Sequence, residues 1–406
     1  MNQRPRVSVL MPVYNGAAYL APAIESVLQQ TLKAFELVIV DDASTDGSVA
    51  CIERYDDPRI RLWRNPQNMG QGWTMNKGLE LSRAAVVARF DQDDLCLPDR
   101  LRRQLAVLEH SPQVAAVGTW MYGIRPGGRR TGVLGMPLDD YGAFVGTLLT
   151  TASPLGHTTV MYRRDVVLAA GGYDPSFAPC EDYELWCRLA LRRCEARVMR
   201  EPLVMWRLHD RQQSVTKQAL QQRHVRQAHE RLLSVFLPEA PARRVSRLLQ
   251  VDLAFWQDCR TASQARAVLD ELEGLLGAMR ERLALSPREL RSLRRSVEWW
   301  LGRRACVAIL HQQRQSAPVY LASLRGGWRA LGYATSLSYP VCFVCSFLFV
   351  PWIRRHCLHG AWRVNRLRYL VRFGTHAVAD AWQRLWAALR GVARRIAGSP
   401  SARELP

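Results

Sequence analysis

Lysine disappears from this 406-residue chain after Lys217, and every later basic residue is arginine. Acidic residues thin out over the same stretch. Residues 1–220 hold 26 Lys+Arg and 24 Asp+Glu, a net of +2, whereas residues 221–406 hold 30 and 12, a net of +18. From Leu301 onward 16 Arg face only Asp380 and Glu404, which excludes an evenly mixed surface and leaves a field that draws phosphate, of lipid headgroups or of nucleic acid. Cysteine occurs ten times but lacks the spacing of a zinc site or a disulfide framework. Cys342 and Cys345 form a C-x-x-C only formally. They sit in an apolar run and read as buried or lipid-facing thiols, so a reducing compartment is inferred.

Long uninterrupted apolar runs are also missing. Arg4 and Arg6 ahead of Val7 to Val13 mimic the start of a signal peptide, but the run is very short and Pro12-Val13-Tyr14-Asn15-Gly16 interrupts it as a turn would. It reads as a first strand, and export is not expected. Ala330 to Ile353 carries no charge over 24 residues, yet Pro340 and Pro351 break it. Arg329 stands on one side and Arg354-Arg355 on the other. Basic flanks at both ends fit a re-entrant or interfacial segment better than a crossing one, with a spanning helix and a buried soluble helix as the alternatives. Beyond it, Trp362 to Ile396 mixes aromatic and aliphatic residues with Arg, the composition of helices lying on an anionic membrane.

A hydrophobic content of 48% and this length suffice for two domains, or for one large domain with an appendage. Strand and helix patterns alternate from the start. Val7–Met11, Phe35–Val40, Ile60–Trp63 and Val86–Phe90 read as strands; Ala18 to Gln30, the stretch from Ser48 to about Tyr55, Gly72–Leu81 and Pro98–Glu109 read as helices. That order predicts an α/β domain with a mainly parallel sheet. After Ala115–Thr119 the Gly-rich stretch Gly123 to Gly135 reads as a hairpin or mobile loop, and from Arg164 a short helix runs to Ala170. Lys217 to Gln315 shows apolar residues at intervals of three and four between Arg-rich faces, the pattern of a helical appendage packed on the first domain.

Ligands of such sheets bind at the carboxyl ends of the strands. Two acidic clusters fall there, Asp41-Asp42 and Asp91-Gln92-Asp93-Asp94. Capping of the following helix accounts for one Asp at each place, but three carboxylates in four residues repel one another unless a cation is held, most simply a divalent metal carrying a diphosphate. Farther on, Gly171-Gly172-Tyr173-Asp174 turns into a helix whose Leu185, Trp186 and Leu189 share a face. Glu181-Asp182 then lie in its first turn, either as partners of the helix dipole or as a carboxylate free to take a proton.

Together, Val7 to Gly16, Val38-Ile39-Val40-Asp41-Asp42-Ala43-Ser44-Thr45-Asp46, Asn68-Met69-Gly70, Phe90 to Asp94 with Pro98 and Arg100, and Gly171-Gly172-Tyr173 followed by Glu181-Asp182 resemble glycosyltransferase family 2. The resemblance covers about residues 5 to 216. It implies a GT-A fold, Rossmann-like with a mixed sheet, a nucleotide-diphosphate-sugar donor of the UDP-sugar kind, a divalent metal (Mn2+ or Mg2+) and inversion at the anomeric carbon. Carried onto this sequence, Pro12 and Tyr14 line the base pocket, and Asp42, with or without Asp41, bonds the nucleoside. Asp91 or Asp93 reaches the ribose or the metal, Asp93 or Asp94 binds the metal, and Asp182 is the general base. Arg207-Leu208-His209 resembles the segment where a basic group nears the diphosphate, so His209 becomes a metal or phosphate contact. Many relatives carry Arg where this chain has Thr74-Met75-Asn76-Lys77, and Lys77 is the available substitute.

The resulting expectation is a GT-A domain over 1–216, a helical appendage over 217–325 and an Arg-rich membrane-associated tail over 326–406 containing the uncharged segment 330–353. The enzyme it describes extends a glycan acceptor, lipid-linked on the evidence of the tail, at the cytoplasmic face of a bacterial inner membrane. Two other classes compete. An Arg-rich nucleic-acid binder finds no reading module in the tail, so nucleic acid is the disfavoured partner. A nucleotide-sugar-binding scaffold without catalysis is at odds with the intact Asp91, Asp93, Asp94 and Asp182.

Overall fold

The structure is a computed structural model, and it describes residues 4–150, 154–210, 212–250 and 262–311. In chain order these form β1 (Val7–Val13), α1 (Ala17–Leu28), β2 (Phe35–Asp41), α2 (Ser48–Ile52), β3 (Ile60–Arg64), α3 (Gln71–Leu81), β4 (Val86–Arg89), β5 (Leu95–Cys96), α4 (Arg100–His110), β6 (Val114–Ile124), β7 (Arg130–Leu134) and α5 (Tyr141–Thr150). There follow β8 (Met161–Arg163), α6 (Arg164–Ala169), α7 (Glu181–Leu191), β9 (Glu195–Arg207), α8 (Gln213–Thr216), α9 (Gln218–Ser234), α10 (Glu239–Gln250), α11 (Ala262–Arg282) and α12 (Pro287–His311).

The strands make one mixed sheet in the order β3-β2-β1-β4-β8-β6-β9-β5, with β7 paired to β6. The first four are parallel, as the alternating pattern predicts. Period two decides their packing: Val7, Val9, Met11 and Val13 of β1 enter a core with α1 and α4, while Leu10 points into the opposite core with α3, α5 and α7. With both faces covered, all seven residues of β2 are buried. The sheet changes direction at β4, whose Val86–Ala88 pair antiparallel with Met161–Arg163 of β8.

The Gly-rich stretch is a hairpin, β6 to β7, and its turn places Gly127 and Gly128 at φ 83° and 79°, where a side chain is strained. Helix α5 has no counterpart in the sequence reading. Only Ala143 of its ten residues escapes full burial, so no polar face marks the helical period. Gly142 and Gly146 put its backbone against α12, where added methyls would collide with the Glu289 carbonyl and with Leu293 and Ser296. Leu232 of α9, Leu248 of α10, Leu275 of α11 and Leu293 of α12 share one buried cluster with Phe144 of α5 and Trp186 of α7. Burying each such side chain is worth about 1.5–3 kcal/mol. The α9–α12 layer therefore holds α5 and α7 from behind. Inside it, His229 Nδ1 and Ser246 Oγ lie 2.8 Å apart, and burial pushes the His229 imidazole down to about 3.

Among the described residues no helix is long and apolar enough to cross a membrane. The segment 330–353 and the rest of the 326–406 tail lie outside the described residues.

Candidate active site

The carboxylate cluster forms where β4 ends. Asp91, Asp93 and Asp94 each offer an oxygen, and these atoms lie within 4.8 Å of one another. Asp94 is 1% exposed; its Oδ1 accepts from the Arg207 N–H at 2.8 Å, and its Oδ2 is buried without a hydrogen-bond partner. Asp93 Oδ2 meets His209 Nε2 at 2.8 Å, and the Asp93 carbonyl accepts from Arg207 Nε at 2.7 Å. The His209 ring packs on Tyr19 of α1, with Nδ1 unpartnered. Sequence distance hides this assembly. Arg207 and His209 arrive because β9 pairs with β5 through Leu95–Met205, across the loop that carries the aspartates.

Burial, then repulsion from Asp91, raises the Asp93 carboxyl above the usual range, and burial with both neighbours raises Asp94 well above it. Three carboxylates crowded together, one of them with a buried unpartnered oxygen, suit a hard divalent cation, which takes oxygen ligands and removes the repulsion. Asp91, Asp93 and Asp94 fit such an ion, with His209 beside them. Gln92 turns elsewhere: its amide bridges the Tyr14 N–H and carbonyl at 3.0 and 3.1 Å and ties the exit of β1 to the cluster.

The cluster after β2 is built differently. Asp42 is 5% exposed and accepts from Asn65 Nδ2 at 2.8 Å, Met69 N–H at 2.8 Å and Gly70 N–H at 2.9 Å. It is thereby engaged in holding the 65–70 loop. Asp41 accepts the Ser44 N–H at 3.1 Å through Oδ2, while its buried Oδ1 has no partner. Pro12 and Tyr14 border this end of the sheet, Tyr14 being 45% exposed. Asn15, at φ 47°, joins the two strand exits by accepting the Thr45 N–H at 2.8 Å. Lys77 is not brought to the carboxylates: its ammonium pairs with Glu80 at 3.1 Å and sits 4.7 Å from the Trp63 ring centroid on β3, an edge strand.

Asp182 lies partly buried in the first turn of α7, beside Glu181, which is 2% exposed with an unpartnered Oε2. Burial pushes Asp182 up to about 6 and Glu181 up to about 7. First-turn N–H groups and the helix dipole favour the ionised form and offset part of that effect. The turn ahead of α7 is fixed by Asn76, whose amide donates to the Tyr173 carbonyl and accepts its N–H, both at 2.8 Å. Tyr173 Oη then reaches His157 Nε2 at 3.1 Å, and Trp186 meets the His157 ring edge-on.

Two residues of this site escaped the sequence reading. Arg89 stands within an apolar strand pattern yet is a cation 2% exposed at the very end of β4, ion-paired with Asp91. His157 is pushed well below its usual range, first by burial and then by the Arg89 charge, which makes it a neutral imidazole at pH 7. A charged residue inside a buried strand was the available signal for Arg89; nothing local marks His157.

A doubly covered α/β sheet with a carboxylate cluster at its change of direction and an acidic helix start facing it is the architecture of the GT-A glycosyltransferases. The model of glycosyl transferase family 2 matches residues 8–169. EpsE of Bacillus subtilis, named as a glycosyltransferase, is 34% identical over 193 residues, 46% of this chain and 68% of EpsE. The amylovoran biosynthesis glycosyltransferase AmsE of Erwinia amylovora is 34% identical over 186 residues, 45% of this chain and 68% of AmsE. Among solved structures, S. aureus TarS 1-349 in complex with UDP-GlcNAc shares the fold, with a TM-score of 0.50 and 15% identity over 82% of this chain and 93% of that one. The chain belongs to glycosyl transferase family 2 and is a glycosyltransferase.

Proposed function

We propose that this enzyme transfers a sugar, with inversion, from a nucleoside-diphosphate sugar to a hydroxyl of a lipid-linked glycan during synthesis of a bacterial surface polysaccharide. One observation carries the reading: the buried, unpartnered oxygen of Asp94 within a three-carboxylate set, on the same strand-end face as Asp182. The similarity to AmsE supports the polysaccharide context, and the family resemblance supports a UDP sugar as donor.

In this scheme Asp91, Asp93 and Asp94, with His209, hold Mn2+ or Mg2+. When bound, the ion neutralises the diphosphate and makes it a competent leaving group. Pro12 and Tyr14 line the base, and Asp41 offers its free Oδ1 to the nucleoside, bordered by the loop that Asp42 holds. Asp182 accepts the proton of the acceptor hydroxyl as its oxygen bonds to the anomeric carbon from the opposite face. The anomeric C–O bond breaks in the same displacement, and its electron pair leaves on the diphosphate oxygen. A carboxyl titrating near 6 is largely ionised at pH 7 and still basic enough for that role. The excess of 30 Lys+Arg over 12 Asp+Glu in residues 221–406 supports docking on an anionic membrane surface, the cytoplasmic face of the inner membrane.

Membranes from cells expressing the full chain, incubated with a panel of radiolabelled nucleotide sugars, test this reading. The expected result is transfer of one sugar to lipid-extractable material, dependent on divalent metal and lost in Asp182→Asn. Full transfer by that variant would sink the assigned base, and metal-independent transfer would sink the carboxylate site.

A further inference from the structure

Two parts of the chain project from the carboxyl-end face of the sheet without belonging to the site. Strands β6 and β9 run parallel with Ile124 opposite Arg207, and the Leu208 N–H donates to the Ile124 carbonyl at 2.8 Å. The β6–β7 hairpin therefore leaves the sheet beside the residues that reach Asp93 and Asp94. Its tip is closed by the Arg125 N–H on the Arg129 carbonyl at 2.9 Å and the Gly128 N–H on the Arg125 carbonyl at 3.0 Å. Residues 125–130 are exposed throughout, Arg130 lies over the Tyr122 ring at 5.3 Å, and residues 123–135 hold no acid to pair with Arg125, Arg129 or Arg130.

The second part follows His209. Residues 213–220, which make α8 and the start of α9, are exposed without a break, and the ends of this corner are tied to both sides of the site. Gln213 Nε2 donates to Gln71 Oε1 at 2.9 Å at the start of α3, and Gln221 Nε2 donates to the Pro179 carbonyl at 3.3 Å ahead of α7. Val215 is 54% exposed and Leu220 is 38% exposed. A lone exposed aliphatic residue needs no explanation. These two share one short corner with Lys217 and Arg223, both exposed.

Guanidinium forks match phosphate oxygens, and aliphatic side chains set among basic ones suit the boundary between headgroups and acyl chains of an anionic bilayer. A single-stranded nucleic acid is met instead by aromatic platforms, and neither 125–130 nor 213–220 carries an aromatic residue. We propose that the hairpin tip and the 213–220 corner form a membrane-docking surface that seats the active-site mouth against anionic phospholipid. Arg125, Arg129 and Arg130 take headgroup phosphates, and Val215 and Leu220 enter the acyl boundary. Its purpose rests on the reading of the acceptor as lipid-linked, since such an acceptor presents its hydroxyl from the membrane surface.

Co-sedimentation of the full chain with vesicles of phosphatidylcholine, with or without phosphatidylglycerol, tests the surface. Two variants are compared with the wild type: Arg125→Gln, Arg129→Gln and Arg130→Gln combined, and Val215→Ser with Leu220→Ser. All five side chains are exposed, so both variants fold, which thermal unfolding checks. An arginine near an anionic surface is worth about fivefold in affinity, so the triple variant binds phosphatidylglycerol vesicles roughly a hundredfold more weakly at low salt. That difference closes as salt rises. The apolar pair loses about tenfold, with little dependence on salt. Wild-type affinity in the triple variant overturns the surface and leaves docking to another part of the chain. Weakened binding to duplex DNA in the triple variant, with no effect of the apolar pair on vesicles, overturns the lipid assignment in favour of a soluble polyanion. Vesicle binding needs no sugar, so the two readings fail separately. Transfer only to a soluble acceptor sinks the lipid-linked reading while vesicle binding stands. Wild-type transfer to lipid-extractable material by variants that have lost vesicle binding keeps that reading and sinks the role of this surface in presenting the mouth.

Discussion

At the end of β2, Asp42 accepts three hydrogen bonds from its own chain, from Asn65, Met69 and Gly70. At the end of β4, Asp94 is as deeply buried but accepts one N–H, from Arg207, and keeps an oxygen without a hydrogen-bond partner. In sequence both are the last aspartate of an acidic pair after an apolar strand. The difference is what the chain supplies around them. A buried carboxylate whose lone pairs are filled internally is part of the scaffold; one left short of donors beside two more carboxylates stores an electrostatic demand that a ligand meets.

Breaking each side of that comparison should give opposite phenotypes. Asp94→Asn relieves repulsion from Asp91 and Asp93 and leaves the fold intact, while sugar transfer falls by roughly 10²–10³-fold, as for loss of one electrostatic stabiliser. Transfer assays read alongside thermal unfolding check it, and a variant of normal activity refutes the site. Asp42→Ala strands three donors, so it lowers stability by about 1–3 kcal/mol. Urea unfolding measures this loss, and turnover per folded molecule separates a scaffold role from direct contact with the nucleoside. Gly146→Leu probes the support layer: it forces α5 from Leu293 and Ser296 and costs about 1–3 kcal/mol by overpacking.

The pH dependence is subtler. Glu181 and Asp182 titrate higher in the folded chain than in the unfolded one, so between their unfolded and folded values the native state binds more protons. Their contribution to stability therefore declines as pH rises through about 4 to 7. Replacing Asp182 by Asn removes its share, and the variant gains on the wild type from pH 4.5 to pH 7.5 in denaturant titrations. Transfer activity runs the other way, rising as Asp182 ionises near pH 6. The smallest effect belongs to Lys77→Met. Its pairing with exposed Glu80 and its stacking on Trp63 are worth at most about 1 kcal/mol, and the KM for the nucleotide sugar stays unchanged if the amine makes no diphosphate contact.

The parallel half of the sheet was legible because its strands are bounded by turn residues, β1, β2 and β4 reading as short apolar runs and the edge strand β3 as an alternating one, between amphipathic helices. The second half was not. Helix α5 is buried all round and has no polar stripe, and β9 draws its pairing from β6 and β5, more than seventy residues upstream in either case. Within the site, acidic spacing identified Asp91, Asp93, Asp94 and Asp182 as candidates. The resemblance gave the nucleoside contact to Asp42, with or without Asp41, because nothing local shows that the N–H groups of Met69 and Gly70 turn back onto Asp42. Nor did spacing place Lys77, whose nearest partners lie on the β3 edge.

The sequence by itself determined the α/β architecture and the strand ends that gather carboxylates, since apolar periodicity and charge spacing are local properties of the chain. Tertiary structure alone decided which carboxylates were satisfied, and it did so by bringing Arg207 and His209 more than a hundred residues to Asp93 and Asp94. It also decided the place of Arg89: burial removes water from a charge, and only the folded neighbourhood can say which opposite charges replace it.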